Sequence, residues 1–202
     1  MKTRVAVVAA IAAAVVGNSA GAFPQPYRIS GTVTAVDAPL GSRFKVGDSV
    51  SGQVLIETVP GGFNGGTAFY NASGFSASIG SGYTVNSNEG SLRVGNEVAP
   101  GLDHVILDFT SPNGLVGPTV DGHFPDYFDL NMNYDSSGLS SSNLLPHFPL
   151  ATLNDLSNLR FDVNDSIEVR FRVTDFSAVP EPSVLSYVVG IGGGMMMRRR
   201  RG

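Results

Sequence analysis

Five stretches of this 202-residue chain alternate apolar and polar side chains with a period of two, which suits strands whose two faces see different surroundings. Tyr27, Ile29, Val33 and Ala35 alternate with Arg28, Ser30, Thr32 and Thr34. Phe44, Val46, Val50, Val54 and Ile56 share one parity against Lys45, Ser49, Ser51, Gln53 and Glu57, with Leu55 as an exception. The same alternation runs through Val105, Leu107 and Phe109, through Phe128, Leu130, Met132 and Tyr134, and through Ile167, Val169, Phe171 and Val173. One buried and one wetted face is the mark of antiparallel sheets. Turn-forming groups separate the runs, among them Pro60, Gly61 and Gly62, then Asn64, Gly65 and Gly66, then Pro100 and Gly101. The expected fold is therefore all-β, an antiparallel β-sandwich or jelly-roll spanning residues 23–178. Leu150, Leu153, Leu156 and Leu159, spaced by three, predict a short helical turn inside it.

Charge and cysteine content exclude several functions. Residues 23–178 carry only Arg28, Arg43, Lys45, Arg93, Arg160, Arg170 and Arg172 against sixteen acidic side chains, a body that repels nucleic acid. The chain has no Cys, so it holds no disulfide framework, thiolate metal site or Cys nucleophile. The only Gly-x-Ser-x-Gly match, starting at Gly17, falls in the leader described next.

The two ends read as addresses. Lys2 and Arg4 precede an apolar run over residues 5–16, and Ala20 and Ala22 place small residues at a cleavage site, which makes residues 1–22 a secretory signal peptide. At the other end come Val179, Pro180, Glu181 and Pro182, an uncharged stretch over 184–197, and then Arg198, Arg199, Arg200 and Arg201. The two prolines keep Glu181 in extended, accessible chain. An apolar segment followed by four Arg is a stop-transfer arrangement with the Arg cluster in the cytoplasm. At about 1.5 Å per residue, the fifteen residues 183–197 reach about 22 Å as a helix, short of a hydrocarbon core of about 30 Å, so the anchor is marginal.

This order of motif, apolar segment and Arg tail behind a signal peptide resembles the PEP-CTERM proteins. The resemblance covers residues 179–202. It implies recognition of Pro180, Glu181 and Pro182 by a membrane exosortase, a transient membrane anchor over 184–197, and a cytoplasmic stop at Arg198, Arg199, Arg200 and Arg201. It further implies delivery of the body to the cell surface or the exopolysaccharide matrix.

Candidate sites in the body are sparse. Asp129, Asn131, Asn133 and Asp135, with Asp126 upstream, begin like a calcium loop, but Tyr134 stands where that loop needs Gly and Ser140 where it needs a bidentate Glu. The row reads as the wet face of a strand. His104, Asp108, Asp121, His123 and His147 are metal-ligand types at spacings that require no metal. Glu57, Asp108, Asp126, Asp129 and Glu168 could supply the carboxylate pair of a polysaccharide hydrolase. With no Trp, a sugar-stacking platform would draw on Tyr27, Tyr70, Tyr83, Tyr127 or Tyr134.

The resulting expectation is three segments: signal peptide 1–22, β domain 23–178, and sorting segment 179–202. The chain is then an exported, non-catalytic structural or adhesive component of the surface or matrix. Its partners are the exosortase and the membrane, both transient, and exopolysaccharide; no metal or cofactor is expected. The alternative is a glycan-binding module, and the third reading a surface hydrolase.

Overall fold

Eleven strands run through the described residues: β1 (Pro24–Val36), β2 (Ser49–Glu57), β3 (Gly62–Asn64), β4 (Thr67–Ile79), β5 (Tyr83–Ser87), β6 (Gly90–Ala99), β7 (Leu102–Thr110), β8 (Pro125–Tyr134), β9 (Asn154–Asp155), β10 (Asn158–Phe161) and β11 (Ile167–Ala178). They are seen in a computed structural model, which describes residues 23–110, 115–136, 138–162 and 167–180. All pairings between strands are antiparallel. Neighbours run β10, β11, β1, β2, β4, β6, β7, β8, and β8 pairs back onto β10. The eight strands close into a barrel, with β3, β5 and β9 as additions at its margins.

The closure corrects the expected sandwich or jelly-roll. The closing strand is β10, four residues that pair with β11 on one side and β8 on the other. It lies in the stretch expected to turn as a helix, and that expectation also fails. Leu159 points into the barrel, while Leu150, Leu153 and Leu156 are each more than half exposed around the short β9. A spacing of three describes alternating strand residues and loop residues as easily as one helical face, once the segment is this short.

Alternation predicts the inward faces well. Tyr27, Ile29, Val33, Val50, Val54, Ile56, Val105, Leu107, Phe109, Phe128, Leu130, Met132, Val169, Phe171 and Val173 are all buried. Leu55, the exception in its run, sits on the outer face, 38% exposed, and so does Ile106, the apolar residue between Val105 and Leu107. Val46 does not follow its parity, because β2 begins only at Ser49 and Val46 lies in the preceding turn.

Aromatic rings fill the axis, as an eight-stranded barrel requires of its inward side chains. Phe75 of β4 stacks on Phe109 of β7 with ring centroids 4.1 Å apart and tilts against Phe128 of β8 at 4.6 Å. Phe128 in turn stacks on Phe171 of β11 at 5.4 Å. Close approach is built in at Gly90, where a Cβ would fall 2.3 Å from the Phe109 ring and 2.6 Å from the Asp108 carbonyl oxygen.

Each mouth of the barrel is plugged. At one end Phe44, from the β1–β2 connection, packs edge-on against Tyr83 at 4.9 Å and against Phe161 at 5.9 Å. At the other, Phe148 from the β8–β9 connection stacks on Phe176 at 5.0 Å and lies beside Tyr27. Three tyrosine hydroxyls donate to this connection: Tyr27 to the Leu145 carbonyl (2.7 Å), Tyr70 to Ser142 (3.1 Å) and Tyr134 to Pro149 (2.8 Å).

The same end has a buried carboxylate at its base. Asp103, 0% exposed, accepts from the Glu97 amide at 2.7 Å and the Leu139 amide at 3.0 Å, tying the irregular β6–β7 turn to the plugging connection. Glu97 holds a φ of 53°, a left-handed conformation that the Asp103 bond supports. Asp103→Ala leaves the buried Leu139 amide and the Glu97 amide without their acceptor. It should cost about 2–4 kcal/mol, with hydrogen exchange at the Leu139 amide accelerating more than at strand amides on the far side of the barrel. Unchanged exchange at Leu139 would refute that role.

Apart from Leu55, Phe69 and Ile106, the outward face is mostly polar: Ser51, Gln53, Ser76 and Ser78 share one shallow surface, and Arg28, Asp108, Asn131 and Arg170 continue it around the barrel. A barrel embedded in lipid shows the opposite pattern, an apolar band outside. No helix of the described residues is long and apolar enough to cross a membrane.

Candidate functional site

Strand register, not sequence proximity, assembles the most unusual group of side chains. Cross-strand pairing lines up Ser91 with Asp108, Asp108 with Asp129, Asp129 with Asn158, and Asn158 with Arg170, one row over β6, β7, β8, β10 and β11. The adjacent row pairs Tyr127 with Arg160 and Arg160 with Glu168. Because residues two apart share a face, both rows project outward.

Most of these polar groups are satisfied. Asp108 accepts from Ser91 Oγ at 3.1 Å and from the Arg93 guanidinium. Glu168 accepts from Arg170 and lies 3.7 Å from Arg160 Nε, and the Arg160 guanidinium sits 5.4 Å from the centre of the Tyr127 ring. Burial of its hydroxyl, with Asp129 and Asp108 nearby, raises the Tyr127 pKa to about 12.

Two groups at the centre are not. Asp129 is 4% exposed and Asn158 5% exposed, yet Asp129 Oδ1 and Asn158 Oδ1 have no hydrogen-bond partner among the described residues. The Asn158 amide donates to the Leu156 carbonyl at 3.0 Å, which orients its oxygen. Both side chains line a depression of about 320 Å³ whose walls include Asp155, Arg160, Glu168 and Arg170. Burial raises the Asp129 carboxyl to a pKa of about 7; Asp108 adds to the rise, while Arg93, the Asn131 amide and Arg160 oppose it. Two buried acceptors side by side in register make a place that calls for a donor.

No family model matches the chain, and neither a curated protein nor a solved structure does so.

The other sequence-derived candidates scatter. His123 Nδ1 lies 2.6 Å from Asp162, His147 pairs with Asp175 at 3.4 Å, Asp121 accepts from Ser42 Oγ at 2.6 Å, and His104 packs against Gly95. Burial lowers the His104 pKa, with Arg93 adding to the effect. Among the described residues, no three His, Asp or Glu side chains gather as a metal set. Asp129, Asn131 and Asn133 lie on the straight strand β8, where alternate residues stand roughly 6.8 Å apart, too far to wrap one ion as a loop does. Asn133 instead donates to the oxygens of Asn131 and Asn154.

Of the hydrolase carboxylates, Asp108 and Asp129 meet, but as cross-strand neighbours on one sheet rather than across a cleft. Glu57 accepts from Asn71 at 3.0 Å, Glu168 belongs to the arginine cluster, and Asp126 lies near the start of β8. Of the stacking tyrosines, Tyr27, Tyr70, Tyr83 and Tyr134 are interior. Burial raises the hydroxyl pKa of each. Only Tyr127 faces outward, beneath Arg160.

Asn158, Arg93, Arg160 and Arg170 were missed by motif reasoning. The signal available was the alternation Asn158, Leu159, Arg160, Phe161, a four-residue strand pattern hidden by the leucine spacing before it. Val179 is 38% exposed, with its amide donating to Pro26 at 2.8 Å and its carbonyl accepting from Gln25 at 3.0 Å. Glu181, Pro182, Arg198, Arg199, Arg200, Arg201 and the leader 1–22 lie outside the described residues.

Proposed function

We propose that this chain is an exported protein, sorted through its C-terminal segment, whose β-barrel serves as a non-catalytic structural or adhesive component of the cell surface or exopolysaccharide matrix. The observation that carries the reading is the order of Pro180, Glu181, Pro182, the apolar stretch 184–197 and the four Arg, behind an export leader. The barrel is compatible with it: Tyr27 and Ala178 are register partners, so both addressed ends leave the barrel from one mouth. An exosortase is the expected transient partner, and exopolysaccharide the expected surroundings.

The test is fractionation of the host with intact-mass measurement. Wild type should appear at the surface or in the medium without residues 1–22 and without the Arg tail. The double variant Pro180→Ala, Glu181→Ala should accumulate in the membrane at full length. Normal release of that variant refutes sorting through the motif.

A second reading, a glycan-binding surface module, is favoured by one observation: the depression with two buried acceptors beside donor-rich arginines.

A further inference from the structure

We propose that the depression between β8, β10 and β11 is a binding site for a neutral polyhydroxylated ligand, a single sugar unit of a polysaccharide, held through Asp129 and Asn158. This deepens the glycan-binding reading and rests on it, not on the sorting tail.

The chemistry of the walls selects the ligand. Of the buried polar atoms without partners, Arg93 Nε and His104 Nε2 lie outside the hollow, and the two in its walls are both acceptors, Asp129 Oδ1 and Asn158 Oδ1, on side chains more than nine-tenths buried. The missing piece must therefore bring donors. An anion would meet two bare oxygens and is disfavoured. A cation brings charge that the acceptors would welcome, but Arg160 and Arg170 line the same hollow, and although Asp155 and Glu168 line it too, no three carboxylates among the described residues gather closely enough to make a metal set. Asp155 is committed elsewhere, its two oxygens accepting from the Ser157 and Val173 amides at 3.1 and 2.6 Å.

Hydroxyls meet both demands. A hydroxyl donates to a carboxylate or amide oxygen and accepts from a guanidinium through the same atom, so neighbouring hydroxyls on one ring can answer Asp129, Asn158 and an arginine together. The volume of about 320 Å³ lies at the small end of ligand pockets, as one ring would need. Asn158, oriented by Leu156, and Asp129, held on a barrel strand, are preorganised. Above its raised pKa Asp129 is a carboxylate, the stronger acceptor, so the test belongs at pH 8.

Full-length protein in a sugar-free detergent is titrated at pH 8 with glucose, galactose, mannose and N-acetylglucosamine, following the Asn158 side-chain amide and the Arg160 and Arg170 Nε–H resonances by NMR. At least one sugar should shift all three groups saturably, with millimolar affinity. Asn158→Ala should weaken that binding about tenfold, the loss of one good hydrogen bond. Asp129→Asn replaces a pure acceptor by a group that can donate to Asn158 Oδ1 and close the pair internally, and it should abolish the shifts while keeping a folded spectrum. Three results overturn the site: no sugar moves these resonances, both variants bind as wild type does, or Ca²⁺ alone moves them where sugars do not. None of these readouts depends on sorting, and the fractionation outcome does not depend on sugar binding.

Discussion

Asp129→Asn is expected to stabilise the barrel by about 4 kcal/mol at pH 8 and to leave its stability nearly unchanged at pH 4. The reason is linkage. In the folded state the Asp129 carboxyl keeps its proton to about pH 7, whereas in the unfolded chain it gives it up near its ordinary value of 3.8. Between those values the unfolded state binds fewer protons than the folded state, so wild-type stability falls as pH rises, and above about pH 7 the loss is complete and constant. The groups facing Asp129 set the size of the effect: Asp108 repels its charge, while Arg93 and Arg160 partly compensate. Arg93 is engaged by Asp108, which limits what it can offer. An asparagine in the same place carries no charge to desolvate. Urea unfolding of both proteins from pH 4 to pH 8 checks this. Parallel pH profiles would refute a buried, reluctant carboxylate at this position.

Phe75→Ala carries the other large effect, a loss of about 3–5 kcal/mol. Phe75 is 2% exposed and contacts two rings from strands two and three places along the barrel, Phe109 of β7 and Phe128 of β8. Its removal opens a cavity between strands whose backbones are held by a closed ring of hydrogen bonds and cannot collapse inward. For a body of this size the melting temperature should drop by roughly 8–15 °C. A drop of less than about 3 °C would mean that Phe109 and Phe128 repack into the space. Phe75→Leu, which keeps most of the volume, should recover much of the difference.

The stability carried by Phe75 and that withheld at Asp129 belong to opposite faces of the same sheet, and they were not equally legible. Inward residues could be read off by parity in β1, β2, β7, β8 and most of β11, because a strand with one wet face must alternate. The stretch holding β4, β5 and β6 gave no such clear reading. In β4 the buried parity runs Ala68, Tyr70, Ala72 and then switches to Phe75, Ala77, Ile79. The switch occurs at Gly74, with a φ of +55°, where β4 spends one residue more than β2 between Ser73 and Ser76. A bulge of this kind breaks the alternation that announces a strand, and alanines at buried positions weaken it further. Bulges also bend the strands, so the features that hid β4 help to close the barrel.

The candidate site was half visible. From sequence, Asp129 reads as a polar residue on the ordinary wet face of a strand. Its burial depends on β10, which covers it from the side, and on the register that places Asn158 opposite it. Neither follows from Asp129's neighbours in sequence.

By itself the sequence determined the antiparallel β class, most inward residues, the acidic cysteine-free body and the addressed look of the two ends, because alternation, charge and short linear motifs are local properties. Only the tertiary structure decided that the sheet closes into a barrel, that four tyrosines point inward, and that two orphaned acceptors share one hollow. Those outcomes depend on which strands become neighbours and in what register, and a shift of one residue there would turn every side chain to the other face.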